Sequence, residues 1–174
     1  AQAYIGRIAH TTGVIDQLLE QLKVREEKGI VQPKFVFPLV LKAIDNIISG
    51  APFSEGDDST ILADFSQKVR AINLSADETD KLIADARAAL QNNLAPSYQK
   101  LRSYLTELEA GADDKDDVWK FPEGEAFYNF ALKRTTTTDL TANEIHDIGL
   151  AEVARIQNEM REIMQKVGFA GDLK

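Results

Sequence analysis

The sequence predicts an all-α fold, a multi-helix array of about six helices. Three observations predict it. Apolar residues recur at helical spacing through most of the chain, two capping boxes mark helix starts, and no stretch alternates with period two long enough for a sheet. The chain's 174 residues suffice for one domain with a real core, so 1–174 reads as a single helical domain.

A first helix is expected from about Ala3 to Lys28, with Tyr4, Ile8, Ile15, Leu18, Leu19 and Leu22 on one face. Gly29 supplies a left-handed stop, and Pro33 fits the first turn of a second helix reaching about Ile48. Its inward side reads as Phe35, Val36, Leu39, Val40, Ile44 and Ile47, with Pro38 close enough to the start to be tolerated. A loop rich in Gly, Pro, Ser and Asp from Ser49 to Ser59 leads to a short helix, Thr60 to Arg70, that presents Ile61, Leu62, Phe65 and Val69.

Ser75-Ala76-Asp77-Glu78 is a capping box, in which the serine oxygen takes a free amide and the glutamate reaches back. It opens a long helix through Leu82, Ala86, Leu90, Leu94, Tyr98, Leu101, Leu105 and Leu108. Pro96 removes one backbone bond and crowds the preceding turn, so a kink is expected near Asn93. An acidic loop, Gly111 to Asp117, precedes an apolar anchor at Trp119-Lys120-Phe121-Pro122. Glu123 to Lys133 follows as a short helix with Phe127, Phe130 and Ala131 along one side. Thr135 to Thr138 interrupts the helical pattern and reads as extended, because β-branched residues resist helix. Thr141-Ala142-Asn143-Glu144, a second capping box, opens an amphipathic helix carrying Ile145, Ile148, Val153, Ile156, Met160, Ile163 and Val167, which Gly168 ends.

Twenty basic against twenty-eight acidic residues leave a formal charge of −8, the wrong sign for nucleic acid or anionic membrane surfaces. Cysteine is absent, which removes disulfides, thiolate metal sites and cysteine nucleophiles together. No apolar run approaches the ~20 residues of a membrane-spanning segment. The first residues show no signal-peptide pattern and begin inside a helix, and the last stop just after one. A fragment of a longer protein is the expectation.

Catalytic signatures are sparse. Four residues beyond His10 stands Val14, and four beyond His146 stands Leu150, so no zinc helix of the His-Glu-x-x-His type can form. Nucleophile elbows and glycine-rich phosphate loops are missing as well. The carboxylate pairs Asp57/Asp58, Asp113/Asp114 and Asp116/Asp117 read as solvated loop charge. Unusual chemistry concentrates between Phe121 and Met160, where Tyr128, Lys133, Arg134, the threonine run and His146 fall close together.

In that stretch Gly124-Glu125-Ala126-Phe127-Tyr128, Thr135 through Thr141 and Glu144-Ile145-His146-Asp147-Ile148-Gly149-Leu150 resemble the bacterial family called domain of unknown function 885. Ala151 through Ile156, Glu159-Met160 and Val167-Gly168-Phe169 continue the resemblance in order. Tyr4 through Ile8, the Pro33 helix start and Leu94 through Tyr98 extend it more loosely over the rest. Members are longer and look like zinc metallopeptidases with a helical, gluzincin-like architecture and a His-Glu-x-x-Pro-Gly-His-His signature downstream of these segments. This chain has no histidine after His146 and departs from the family there.

The resemblance therefore implies a helical scaffold without its own metal site or catalytic residues, with zinc held in the longer parent protein. The parent is then a zinc-dependent peptidase or hydrolase, often exported to the bacterial periplasm or envelope, sometimes as a lipoprotein. Its partners would be the rest of the parent chain and a peptide substrate. Tyr128, Arg134, Thr136, Thr137 and His146 are the candidate substrate-cleft residues, as hydrogen-bond donors to an oxyanion or holders of a carboxylate. The alternative is a non-enzymatic helical binding or structural module of the bacterial cell envelope. A scaffold fragment should expose an apolar surface, whereas a self-contained module should not.

Overall fold

The helix ends follow their caps. In the computed structural model, which describes residues 1–172, the first segment is two helices, α1 (Gln2–Ala9) and α2 (Thr11–Glu27). The expected single helix breaks at His10, whose backbone N–H and ring Nδ1 both bond the Gly6 carbonyl at 3.0 and 2.7 Å. A side chain that competes for a helix carbonyl, followed by Thr11, Thr12 and Gly13 with weak helix propensity, ends one helix and starts another. The stop after α2 is as the sequence predicts. Gly29 takes φ +70°, its N–H bonds Glu26 O at 2.8 Å, and Ile30 N–H bonds Arg25 O at 2.8 Å, a Schellman closure.

Helix α3 (Val36–Ile47) begins three residues after Pro33, so Pro38, not Pro33, occupies its first turn. Its inward face also differs from the expectation. Phe37 and Ile44 are buried and Leu41 and Ile48 pack beside them, while Phe35, Leu39 and Val40 lie exposed. The sequence pattern is apolar nearly all round this helix, so periodicity could not choose the face.

The loop from Ser49 to Ser59 closes on itself. Ala51 N–H bonds Asp57 O at 2.8 Å, Ser59 N–H bonds Ala51 O at 2.7 Å, and the Ala51–Pro52 peptide is cis. Gly50 sits at φ +75°, where an added Cβ would stand 2.7 Å from Asp57 O and 3.1 Å from Ser59 N. Asp58 is not merely solvated charge, as the sequence suggested: Arg87 bonds it at 2.7 Å and, with Gln91 donating to Pro52 O at 3.1 Å, latches the loop down. Ser59 then caps α4 (Thr60–Arg70) through Leu62 N–H, and Leu62, Phe65 and Val69 are buried as expected.

The long helix is α5 (Ala76–Ala89), a π-helical turn (Leu90–Leu94) and α6 (Ala95–Gly111). Its inward residues advance in steps of four from Leu82 through Ala86, Leu90, Leu94 and Tyr98. A straight helix of 3.6 residues per turn would carry such a row off its face. The π turn takes up the surplus residue, and it lies just ahead of Pro96, which lacks an N–H and would crowd the carbonyl four residues back. Beyond it, Ser97 Oγ donates to Asn93 O at 2.6 Å and to Thr12 Oγ1 at 3.1 Å, tying the turn to α2. The expected kink near Asn93 is thus a register change inside a continuous helix.

These elements form one compact unit, Ala1–Asp116, with two apolar clusters. Ile8, Leu62, Phe65, Val69, Ala86, Leu90 and Leu94 make the first, where the Tyr4 and Phe65 rings lie 5.2 Å apart. Ile15, Leu19, Phe37, Ile44, Leu101 and Leu105 make the second. Ile48 and Tyr98 touch both.

The second unit starts at Asp117 and contains a 3₁₀ turn (Val118–Lys120), α7 (Gly124–Thr136) and α8 (Ala142–Lys166). The threonine run is not extended. Thr135 and Thr136 finish α7, Thr137 takes the left-handed conformation at φ 59°, and Thr138 and Leu140 N–H groups bond the hydroxyls of Thr136 and Thr138. Threonine hydroxyls that bond nearby backbone offer a helix-ending turn as an alternative to a strand. The Thr141–Glu144 capping box forms as expected, and Gly168 at φ +68° closes α8 with the same Schellman pattern as α2.

Among the described residues there is no β-strand beyond an isolated Ala51–Asp58 bridge, and no helix is long and apolar enough to cross a membrane. The all-α helical array is therefore established: counting α1–α2 and α5–π–α6 each as one segment, it is the expected six.

Gly50→Ala should destabilise the chain by about 1–3 kcal/mol, since the backbone must both strain and shift. Urea unfolding measures it, and an unchanged midpoint would contradict the close approach. The capping carboxylates make a second prediction. Backbone and hydroxyl bonds from Thr141 hold Glu144 below its ordinary value of 4.5, and the Ser75 hydroxyl and amide do the same for Glu78. A depressed folded value means stability that is present above pH 4.5 and lost as pH falls through the folded value. Acid titration followed by circular dichroism should therefore show helix loss in that window, and E78Q/E144Q should flatten it.

Candidate functional site

The residues singled out by sequence all fall in the second unit, and the way that unit is built decides what each can do. Gly124 opens α7 where an added Cβ would stand 2.0 Å from Val118 O. Only glycine lets the 3₁₀ turn lie backbone against backbone on the helix start. That approach sets Trp119 against Tyr128, with ring centroids 5.8 Å apart and planes tilted by 43°. The Tyr128 ring is therefore held on one side and only partly exposed, while Trp119, in the apolar anchor read from the sequence, remains largely exposed.

Six residues further along α7, Arg134 stands about 120° round the helix from Tyr128. It shares its side with Phe127, Phe130 and Ala131, and both phenylalanines are exposed. Thr136 Oγ1 donates to Leu132 O at 2.9 Å and lies 2.9 Å from Thr138 Oγ1, and Thr137 Oγ1 donates to Thr136 O at 2.6 Å. Both hydroxyls are thus spent on shaping the turn. An ion pair from Lys133 to Asp139 spans the same turn. His146 lies one turn into α8, exposed. Among the described residues, neither Arg134 nor His146 makes a side-chain hydrogen bond or ion pair. The fold brings Tyr128 to Trp119 and Thr136 to Thr138; it does not join Tyr128, Arg134 and His146 into one hydrogen-bonded constellation.

Among the described residues no group of three or more His, Asp or Glu stands close enough to hold a metal ion.

Sequence reasoning missed a different feature. In the first unit, Tyr104 donates its hydroxyl to Glu26 at 2.7 Å, beside a shallow depression of about 400 Å³ lined by Lys23, Glu26, Glu27, Glu107 and Leu108. Burial first, then the bond to Glu26, pushes the Tyr104 phenol up to about 12. The pairing joins residues 78 positions apart, and nothing local in the sequence signals it. A phenol so raised stays protonated through the physiological range and acts as a fixed donor to a carboxylate, a structural tie between α2 and α6.

The most extensive feature of the second unit is apolar. Val153 is 54% exposed, Ile163 58% and Val167 71%, and Ile148, Leu150, Ile156 and Met160 are also exposed along the same helix. Single exposed apolar side chains are ordinary, but seven of them between Ile148 and Val167 are not.

No curated protein matches the chain. Its fold is similar to the crystal structure of a protein described as a putative lipoprotein from Colwellia psychrerythraea, with TM-score 0.80 and 23% sequence identity. The similarity covers 97% of this chain and 28% of that one, so this chain spans little more than a quarter of the length of that protein. A family model, that of bacterial proteins of unknown function DUF885, matches residues 1–174, and the chain belongs to that family.

Proposed function

We propose that this chain is a helical scaffold within a longer protein, one resembling a zinc-dependent peptidase or hydrolase of the bacterial envelope. The observation that carries the reading is the exposed apolar row on α8, a surface of the kind that a further part of a protein covers. The 28% share of the similar lipoprotein supports it, since that protein has ample chain to do the covering. In this reading the scaffold supplies shape and one wall of a peptide cleft. Zinc would be held by residues of the remainder, where it would supply hydrolytic chemistry.

Tyr128, with a phenol positioned by Trp119, and Arg134 and His146, with side chains uncommitted among the described residues, are the groups available to touch a peptide. Thr136 and Thr137 would act by shaping the turn that separates them.

Two experiments test this. The longer protein is expressed whole and as two pieces, this segment and the remainder, and peptide hydrolysis and zinc content are measured. The whole should hydrolyse peptides, the remainder alone should be inactive or aggregate, and adding this segment should restore activity. A remainder that folds and works alone, or a whole that hydrolyses nothing, would favour the non-enzymatic module instead. In the active whole protein, Y128F and H146A should each lower turnover about tenfold or more with little change in melting temperature. Unchanged kinetics in both would remove these residues from the cleft.

A further inference from the structure

The two units of the chain are held together by different means. Every buried hydrophobic side chain among the described residues lies in the first unit, from Ile8 to Leu105. In the second unit the one buried residue among those described is Gly124, which has no side chain to contribute. Removal of apolar surface from water is the main source of tertiary stability, and helices in proteins draw most of theirs from it. The second unit has mostly local interactions to keep it folded.

Those local interactions are of limited strength. Helix α7 has 13 residues, near the length below which a helix alone is marginal in water. Phe127, Tyr128, Asn129, Phe130, Thr135 and Thr136 within it are weaker helix formers than Ala, Leu or Lys. The Trp119–Tyr128 ring pair and the backbone approach at Gly124 fasten α7 to the 3₁₀ turn. Helix α8 is longer, at 25 residues, but it carries Gly149 and the β-branched Ile145, Ile148, Val153, Ile156 and Ile163. Its fixed points are the Thr141–Glu144 capping box, the Arg155 pairs with Glu152 and Glu159, and the Gly168 stop. Caps and exposed ion pairs of this kind hold such a helix near the balance between helix and coil, not far on the folded side.

We propose that the second unit is an order–disorder element. It opens and recloses by itself while Ala1–Asp116 stays folded, and the Thr141–Glu144 box sets how much of the time α8 is closed. This behaviour does not depend on the scaffold reading. It touches that reading in one respect: Tyr128, Arg134 and His146 all lie on this unit, so the candidate cleft groups are in place only while it is closed.

Hydrogen exchange of the 174-residue chain, followed amide by amide, tests the proposal. Amides from Tyr98 to Leu105 in α6 should be protected about a thousandfold or more, and those from Ile148 to Ile163 in α8 only about ten- to a hundredfold. Urea below the main unfolding transition should abolish the α8 protection and leave the α6 amides protected. The two capping boxes provide a reciprocal check. Thr141→Ala should lower protection in α8 about fivefold and leave α6 unchanged. Ser75→Ala, which uncaps α5, should lower protection in α6 about fivefold and leave α8 unchanged.

Equal protection in both helices, or a loss in both from either variant, would overturn the proposal, because the chain would then unfold as one cooperative body. Exchange of the α8 amides at the unprotected rate would overturn it as well, since the unit would have no closed state for the cap to hold. Protection of α8 that rises with chain concentration would overturn control by the cap in favour of association. Each of these outcomes leaves the scaffold reading to be decided by restoration of activity with the added segment.

Discussion

The first unit depends on a single constraint: one long helix must serve two apolar clusters while its inward residues step faster than an α-helix turns. Leu90 and Leu94 sit in the first cluster, Leu101 and Leu105 in the second, and the π turn at Leu90–Leu94 keeps all four on the buried side. In an unbroken α-helix the row from Leu82 to Tyr98 would drift by about 40° for each step of four, and the π turn takes back part of that drift midway along it. A π turn is costly in isolation, and here burial of leucines on both sides offsets it, at about 1.5–3 kcal/mol for each side chain fully removed from water. Pro96 falls where that local widening already exists, so the missing N–H and the crowded carbonyl add little further strain.

Around that helix the polar contacts are few and placed at junctions. Arg87 with Asp58, Arg102 with Asp45 and Lys100 with Asp16 each join α5 or α6 to a different neighbour. All are largely exposed, so each is a weak contributor to stability and acts mainly to fix which element lies where. The backbone closure of the loop at Gly50 and the Tyr104–Glu26 bond are less replaceable, since one depends on a positive φ and the other on a half-buried donor.

The second unit follows another logic. Its order comes from local chemistry: a glycine that admits a close backbone approach, a threonine turn stitched by its own hydroxyls, a capping box and a Schellman stop. Its apolar side chains, by contrast, are mostly uncovered. Helical order without burial of the amphipathic face leaves the usual tertiary contribution to helix stability unclaimed, so local chemistry carries α8.

Taken alone, the amino-acid sequence determined the elements whose causes are local. Both capping boxes, the glycine stops after Glu27 and Val167, the short helix Thr60–Arg70 and the disturbance ahead of Pro96 were legible because each needs only residues within a few positions. Candidate residues were legible as a cluster in sequence, and their separation round α7 and into α8 was not, because angular position depends on where each helix starts and ends. Tertiary structure alone decided the rest. It chose Phe37 over Phe35 for the core, broke the first helix at His10, tied Asp58 to Arg87 and Tyr104 to Glu26, and left the best amphipathic face exposed. The physical reason is the same in each case: periodicity says that a face is apolar, and only the neighbouring elements determine whether water is removed from it.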